Sequence, residues 1–297
     1  MTFTLTFLFL YKIKLLMPFI ELFDETLDIN STENYELSLQ AGSDSLSFCI
    51  LDTIRNKYVM LRSIEAEEGN ELKINESEDF LQKDDFLIRH YKKVNILLPS
   101  RKFTLVPSQL FDPGRKAEFF TFNHIKEENE VILSNKSTET ESFILFSASQ
   151  QLTEVLNRKF PGVLPFHSVK TLFNHIARMR KGSESNYIQL HIERDFFFLI
   201  IYTHGILKFC NSFTYRSIND ILYYVLNTFK SLGVKQEEAI CLSGNAEKYD
   251  DLSSAFSMYI SQLKYSEPSG NFTFSYVFND LVLHRYLNLF TVVNCES

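Results

Sequence analysis

The stretch YIQLHIERDFFFLIIYTHGILKFCNSFTY, residues 187–215, decides the fold of this chain. It holds three apolar segments, at 187–192, 196–202 and 207–215, separated by short turns at 193–195 and 204–205. Strand-forming residues bounded by turn formers predict three consecutive antiparallel strands. In the last segment Phe209, Asn211, Phe213 and Tyr215 share one face because side chains alternate along a strand.

A helix and a buried strand follow this meander. Ser217 and Asp220 have the spacing of a capping box, and Gly233 is placed to end the helix that they begin. The helix carries apolar residues at helical spacing, namely Ile221, Leu222, Val225, Leu226 and Phe229. An apolar run at 239–243, ending at Gly244, predicts a buried strand. Three meandering strands followed by crossover helices predict a mixed sheet with helices on its faces.

The first half of the chain repeats this plan without repeating its residues. Strands are predicted at 35–40, 45–51, 58–64 and 94–98, and a helix starting at Ser77 and Glu78 with Phe80, Leu81, Phe86 and Leu87 as its apolar residues. Further predicted elements are a turn at 111–114, strands at 131–133, 143–146, 163–166 and 262–265, and helices at 151–160, 169–179, 251–260 and 278–292. The sequence therefore predicts an α/β fold with internal duplication.

The repeat sets the predicted domain boundaries. We expect a first lobe over 17–180, a linker over 181–186 and a second lobe over 187–297. Residues 1–16, MTFTLTFLFLYKIKLL, are almost wholly apolar but too short to span a bilayer. They also lack a basic leader region and a small-residue cleavage site, so they do not read as a secretory signal. We interpret them as a mis-called or disordered extension, with Met17 as the natural start.

The duplicated strand and helix order resembles the actin/Hsp70/sugar-kinase superfamily, and most closely its pilus-assembly and cell-division ATPase-like branch. Residues 145–178 look like the end of the first lobe in that branch. Four stretches resemble an uncharacterised Bacteroidetes family with an actin-like ATPase fold. They are LKFCNSFTY at 207–215, DILYYVL at 220–226, QLHIE at 189–193 and Cys295-Glu296. The resemblance implies two actin-like, ribonuclease H-like lobes, each a mixed sheet flanked by helices, and no established activity.

The resemblance also locates where nucleotide would bind. ATPases of this fold hold nucleotide between the lobes, with an acidic residue followed two positions later by Gly in each lobe. Here Gln40 and His191 stand at the acidic positions, and Glu193 adds negative charge where phosphate would lie. The cofactor-binding candidates that remain are Gly42, Ser43, Gly244 and Asn245. We expect degraded ATPase motifs, with no catalytic residue and no metal ligand, and the alternative is an ATP/Mg site with atypical phosphate loops.

Other chemistries find no support in the sequence. The net charge of −7 and the absence of a basic block disfavour nucleic acid and anionic membranes as partners. The four cysteines are widely spaced and three lie in apolar runs, which indicates free thiols rather than a disulfide framework or a zinc site. The seven histidines include no HExxH motif, and we expect solvated or capping roles for His167 and His175. The chain also lacks the GxSxG, P-loop and GxGxxG motifs.

These observations lead to a functional hypothesis. We expect a cytoplasmic, bacterial, non-catalytic scaffold or adaptor, a pseudo-ATPase, with an unidentified protein partner, no nucleic acid and no stable membrane insertion. The alternatives are a nucleotide-binding ATPase or kinase-like enzyme and a form anchored to a membrane by residues 1–16. The docking candidates are the aromatic residues Tyr223, Tyr224, Tyr249 and Tyr259.

Overall fold

The computed structural model describes residues 20–67, 70–247 and 250–295, and its chain divides into two compact units. The first unit comprises the described residues through Leu98, Gln150–Pro165 and Phe272–Asn279, and the second comprises Pro99–Ser149, Phe166–Asn271 and the described residues from Asp280 onward. The expected extension at 1–16 and the expected start at Met17 lie outside the described residues. The linker at 181–186 stays a prediction.

Fifteen strands and seven α-helices make up the described part of the chain. The strands are β1 Ile20–Phe23, β2 Tyr35–Ala41, β3 Ser45–Asp52, β4 Lys57–Glu65, β5 Lys93–Leu98, β6 Phe103–Pro107, β7 Glu130–Ser137, β8 Ser142–Ser149, β9 Phe166–His167, β10 Tyr187–Ile192, β11 Phe196–Thr203, β12 Ile206–Thr214, β13 Ile240–Gly244, β14 Leu263–Tyr265 and β15 Thr273–Phe274. The helices are α1 Ile74–Lys83, α2 Lys116–Thr121, α3 Gln150–Lys159, α4 Ser168–Arg180, α5 Ile218–Leu232, α6 Asp251–Ser257 and α7 Leu287–Thr291.

The sheet of the first unit has the order β1-β4-β3-β2-β5. Strands β2, β3 and β4 form an antiparallel meander, and β5 lies parallel to β2. The outer edge of β4 is shared by β1, which runs antiparallel to it, and β15, which runs parallel. Every residue of β3 after Ser45 is buried, which explains its near-continuous apolar sequence.

The second unit contains a five-stranded sheet in the order β12-β11-β10-β13-β14 and a separate three-stranded sheet in the order β6-β8-β7. Strands β10, β11 and β12 form the predicted antiparallel meander, and β13 lies parallel to β10. The order third, second, first, fourth strand is therefore the same in both units. This match confirms the predicted α/β fold with a duplicated plan.

Helix α5 packs against the five-stranded sheet and begins and ends as predicted. The Ser217 hydroxyl accepts the Asp220 amide, while the Asp220 carboxylate accepts the Ser217 amide, and Gly233 ends the helix with φ +68°. Its buried face of Ile221, Leu222, Val225 and Phe229 joins the apolar core of the sheet. Burial of each such side chain stabilises the fold by about 1.5–3 kcal/mol.

Three predicted elements differ from the structure. Helix α1 ends at Lys83, before Phe86 and Leu87, because the Asp84 carboxylate accepts both of their amides and turns the chain. The strand predicted at 163–166 is reduced to β9. The closing helix predicted at 278–292 is replaced by α7 with short 3₁₀ turns at 276–278, 283–286 and 292–294. Among the described residues, no helix combines the length and apolarity that a bilayer crossing requires.

Candidate functional site

Gly42 and Ser43 lie in the turn between β2 and β3 of the first unit. The Gly42 amide donates to the carbonyl of Ser45 at 2.8 Å, and the Ser43 carbonyl accepts the Leu72 amide at 2.8 Å. Gly42 is half-buried, and a Cβ added to it would lie 3.2 Å from Asp44 Oδ1 and 3.4 Å from Ser45 Oγ. The two tightest contacts are with side chains, and the Ser45 carbonyl oxygen follows at 3.5 Å. Because the Gly42 amide is hydrogen-bonded to that carbonyl, turn geometry accounts for it.

Gly244 and Asn245 lie at the end of β13 in the second unit, where the backbone passes close to β10. Gly244 is buried with φ +76°, and a Cβ added to it would lie 2.0 Å from the carbonyl oxygen of Ile192. The Asn245 amide donates to that same carbonyl at 2.8 Å. Glycine is required here because no side chain fits between the two strand ends.

His191 lies at the carboxyl end of β10, directly beside Ser243 of the parallel strand β13. Its Nδ1 is 2.7 Å from Ser243 Oγ, and its Nε2 is 3.0 Å from Asn288 Nδ2 and 3.1 Å from Glu193 Oε1. The ring is 2 % exposed and stacks near Phe198, with centroids 6.2 Å apart. Both ring nitrogens therefore have hydrogen-bond partners in either neutral tautomer.

These contacts belong to a longer chain of buried polar side chains in the second unit. Gln189 Nε2 donates to Ser243 Oγ at 2.8 Å, and Gln189 Oε1 accepts the Ser266 hydroxyl at 2.9 Å. At the other end, the Thr171 hydroxyl donates to Asn288 Oδ1 at 2.6 Å. We name this set the His191 network, and its members are Thr171, Gln189, His191, Glu193, Ser243, Ser266 and Asn288. It ties β10, β13, α4 and α7 together within this unit.

The series Glu193, His191 and Ser243 has the residue types of an acid–histidine–serine triad. A nucleophilic serine must reach a substrate carbonyl. Ser243 is fully buried, and its oxygen already receives a hydrogen bond from Gln189. The geometry is therefore that of a satisfied buried polar network, which fixes the strand ends.

His167 and His175 are also buried in the second unit. His167 caps α4 as predicted, because its Nδ1 accepts the Val169 amide, while its Nε2 lies 2.7 Å from the Ser100 carbonyl oxygen. For His175 both predicted roles, solvated and capping, are wrong, since this residue lies within α4 and is 1 % exposed. Burial lowers the pKa of His167 to about 4 despite the hydrogen bond to Ser100, and burial lowers the pKa of His175 to about 4.

The remaining candidate chemistries concern cysteines and metal ligands. All four cysteines are free thiols, with Cys49 and Cys295 buried and Cys210 and Cys241 half-buried. Within residues 20–67, 70–247 and 250–295, no cluster of three His, Cys, Asp or Glu side chains is arranged to hold a metal ion.

The match to known families decides where this chain belongs. A family model described as "protein of unknown function (DUF3822)" matches residues 24–263. The chain belongs to this family. No functionally curated protein matches this DUF3822 chain.

Solved structures show the fold of this DUF3822 member. A Bacteroides thetaiotaomicron protein with an actin-like ATPase fold and unknown function is 23 % identical, with a TM-score of 0.77 over 91 % of this chain and 100 % of that one. A structure described as the PilM–PilN type IV pilus biogenesis complex matches at 13 % identity and a TM-score of 0.57, over 87 % of this chain and 98 % of that one. The chain therefore has an actin-like ATPase fold.

The four residues predicted to bind a cofactor lie in two separate turns, one in each unit. The structure brings Gly42 together with Ser43, and Gly244 together with Asn245. Asn288 and Thr171 complete the His191 network from distant helices, and neither lies in a local motif that would identify it from the sequence. Among the docking candidates, Tyr223 is 64 % exposed, Tyr259 is 47 % exposed and Tyr224 is half-buried, whereas Tyr249 lies outside the described residues.

Proposed function

We propose that this protein is a non-catalytic, actin-like-fold scaffold or adaptor that binds a protein partner. The observation that carries the proposal is the set of hydrogen bonds around His191. In the actin-like ATPases that this sequence resembles, the equivalent position is occupied by an acidic residue that organises metal and water. Here it holds an imidazole whose two nitrogens are engaged by Ser243, Asn288 and Glu193.

The glycine at the end of β13 supports the same proposal. Gly244 makes room for the Ile192 carbonyl, which the Asn245 amide also engages. A phosphate cradle needs backbone amides that point freely at a ligand. The Gly42 amide is likewise used within its own turn. On these contacts the residues present do not fit Mg-ATP, and we assign the protein no cofactor.

A protein partner is proposed because of the chain's charge and its relatives. The net charge of −7 disfavours nucleic acid and anionic lipid surfaces. PilM, which shares the fold, occurs in a complex with PilN. A protein with this fold therefore forms a complex with another protein, and we propose the same for the DUF3822 chain.

Titration calorimetry with Mg-ATP tests the proposal, and we expect no binding heat with the wild-type protein. Micromolar affinity that is weakened by Gly42→Val would instead establish the alternative, a nucleotide-binding ATPase with atypical loops. Ser43→Ala serves as a matched variant in the same turn because Ser43 is exposed and its backbone carbonyl contact is retained. Release of phosphate from ATP by the purified protein would also contradict a non-catalytic role.

A further inference from the structure

Strand β12 forms one edge of the five-stranded sheet. It is nine residues long and, within the described residues, it pairs with another strand only along its β11 side. The other side, which we name the β12 edge, presents backbone amides and carbonyls that no neighbouring strand uses. One of the β12 amides, that of Ser212, donates instead to the Asn211 side-chain oxygen at 2.9 Å. Such an edge is a template for the addition of a further strand.

The equivalent strand of the first unit shows how this chain covers such an edge. There the outer side of the third meander strand, β4, is shared by β15 and by β1, which places Ile20 opposite Ser63 and Phe23 opposite Met60. The covering segment has the sequence IELF, and its Glu21 forms an ion pair with Arg62 of β4. An extended segment that combines apolar residues with an acid therefore covers part of this edge in one half of the duplicated plan.

Half-exposed aromatic side chains lie beside the β12 edge. Tyr224 of α5 stacks on Phe213 at 4.6 Å, and Phe213 lies parallel to Phe209 at 6.2 Å. Tyr223 meets Tyr224 edge to face at 5.4 Å and is 64 % exposed. We name these four residues the aromatic row. The apolar side chains of an added strand, which project to one face, would pack on the aromatic row.

Positive charge accompanies the β12 edge. Lys208 lies within the strand and Arg216 lies just beyond it, and both are exposed. Arg101 is also exposed, and its carbonyl accepts the Ser212 hydroxyl from β12 at 2.6 Å. Across the described part of the chain, Lys208 forms no salt bridge. The charge of Arg216 is partly offset by the nearby Asp220 carboxylate, so Lys208 is the cation that most favours an acidic segment.

We propose that the β12 edge binds an extended segment of a partner protein in which acidic and apolar residues alternate, so that the segment adds to the sheet as a further strand. The backbone of β12 supplies the hydrogen bonds, the aromatic row supplies apolar contact, and Lys208 with its neighbouring cations selects acidic residues. The inference rests on the proposed scaffold function, because it names the surface and the partner chemistry through which the scaffold acts.

The probe is a fluorescent synthetic peptide in which Glu alternates with Ile and Phe, titrated into the full-length protein and followed by anisotropy. We expect saturable binding, and no binding of a peptide of the same composition with its Glu residues grouped in one block. Two further peptides carry N-methyl groups on alternate backbone nitrogens, one at odd and one at even positions. Strand addition requires that one of them loses binding while the other retains it, because only one side of the peptide pairs with β12.

Matched protein variants locate the binding surface. We expect Lys208→Glu and Tyr223→Ser each to weaken peptide binding about tenfold. Lys235→Glu and Tyr276→Ser are the controls, since Lys235 is also exposed and Tyr276, at 60 % exposed, matches Tyr223. All four positions are on the surface, so unchanged thermal unfolding verifies that the variants are folded.

Three outcomes would overturn the inference. In the first, both N-methylated peptides still bind. In the second, Lys208→Glu and Tyr223→Ser leave peptide binding unchanged. In the third, the wild-type protein is a homodimer that these two substitutions dissociate, which would assign the β12 edge to a second copy. If the native complex of the protein survives both substitutions, this inference fails while the scaffold function stands. Turnover of Mg-ATP overturns the non-catalytic scaffold function. The peptide titration still decides separately whether the β12 edge binds an extended segment.

Discussion

His191 and Ser243 occupy matching positions on neighbouring parallel strands, with His191 Nδ1 2.7 Å from Ser243 Oγ. Both residues are buried, and the serine oxygen also accepts a hydrogen bond from Gln189. A single hydroxyl thus satisfies polar groups of two side chains that have no access to water. Because an unsatisfied buried polar group is costly, the pair fixes the register of β10 against β13.

Replacement of Ser243 by alanine should therefore destabilise the protein strongly. Ser243→Ala leaves Gln189 Nε2 and His191 Nδ1 buried without their shared partner, and we expect a loss of about 2–4 kcal/mol in the free energy of unfolding. Urea denaturation measures this loss. Ser254→Ala, at an exposed serine, is the control and should change the unfolding free energy by less than about 0.5 kcal/mol. Equal effects of the two substitutions would show that the His191 network contributes nothing to stability.

The two glycines predicted to contact a cofactor should respond differently to alanine. Gly244→Ala forces a left-handed backbone onto alanine and drives its Cβ against the Ile192 backbone, so we expect a loss of about 2–4 kcal/mol. Gly42→Ala meets side-chain oxygens at 3.2 and 3.4 Å and the Ser45 carbonyl oxygen only at an ordinary contact distance of 3.5 Å, so it should cost less than about 1 kcal/mol. Thermal unfolding of both variants in parallel makes the comparison. A Gly244→Ala protein as stable as the Gly42→Ala protein would contradict the assigned strand packing.

Local signals explain which parts of the fold could be predicted. Three features are determined by residues close together in the sequence. They are the capping pair Ser217 and Asp220, the strand Tyr187–Ile192 and the end of the helix at Gly233. The broken C-terminal segment was not predicted, because its apolar spacing is helical while Asn279 and Asp280 are turn formers that compete for the backbone. Strand β6 was missed because it is short, ends at Pro107 and is defined by pairing with β8.

The candidate site was predictable only in part, for the same reason. The polar strand end at His191 is visible in the sequence, and its local partner Glu193 lies two residues away. Asn288 is 97 residues from His191, and Thr171 is 117 residues from Asn288. No local pattern links residues so far apart, since tertiary packing alone brings α4 and α7 to the strand ends.

The buried histidines should make the protein less stable in mild acid. Burial lowers the pKa of both His167 and His175 from the ordinary 6.5 to about 4, so the unfolded chain binds protons in this range that the folded chain does not. The free energy of unfolding keeps its full value above pH 6.5 and decreases as the pH falls towards 4, by about 3 kcal/mol for each histidine. Urea denaturation at a series of pH values measures the slope.

Substitution of one of these histidines tests the assignment. His175→Leu removes a buried titrating group and should reduce the slope of stability against pH between 6.5 and 4. His90→Gln, at an exposed histidine, is the control. If His175→Leu leaves the slope of stability against pH unchanged, the pKa of His175 is the same in the folded and unfolded states.

Lys102 is the centre of an ion-pair cluster in the three-stranded part of the second unit. Its Nζ lies 2.7 Å from Glu127 Oε1 and 3.0 Å from Glu130 Oε1, and it donates to the Ile125 carbonyl at 3.2 Å. The side chains of Lys102 and Glu130 are 16 % and 17 % exposed, whereas that of Glu127 is 69 % exposed. The pair with Glu130 should therefore matter more than the pair with Glu127.

Lys102→Met keeps the apolar stem but removes the charge that faces Glu130. We expect it to lower the free energy of unfolding by about 1–3 kcal/mol at neutral pH, and Glu127→Gln to lower it by less than about 0.5 kcal/mol. Burial raises the pKa of Glu130, but hydrogen bonds from the Glu127 amide and from Lys102 outweigh this effect and hold the pKa below its ordinary 4.5. The stability that Glu130 contributes is therefore present above pH 4.5 and is lost as the pH falls through the lowered pKa. The difference between wild type and Lys102→Met in urea denaturation should shrink over the same range, and a difference independent of pH would assign the effect to packing instead of charge.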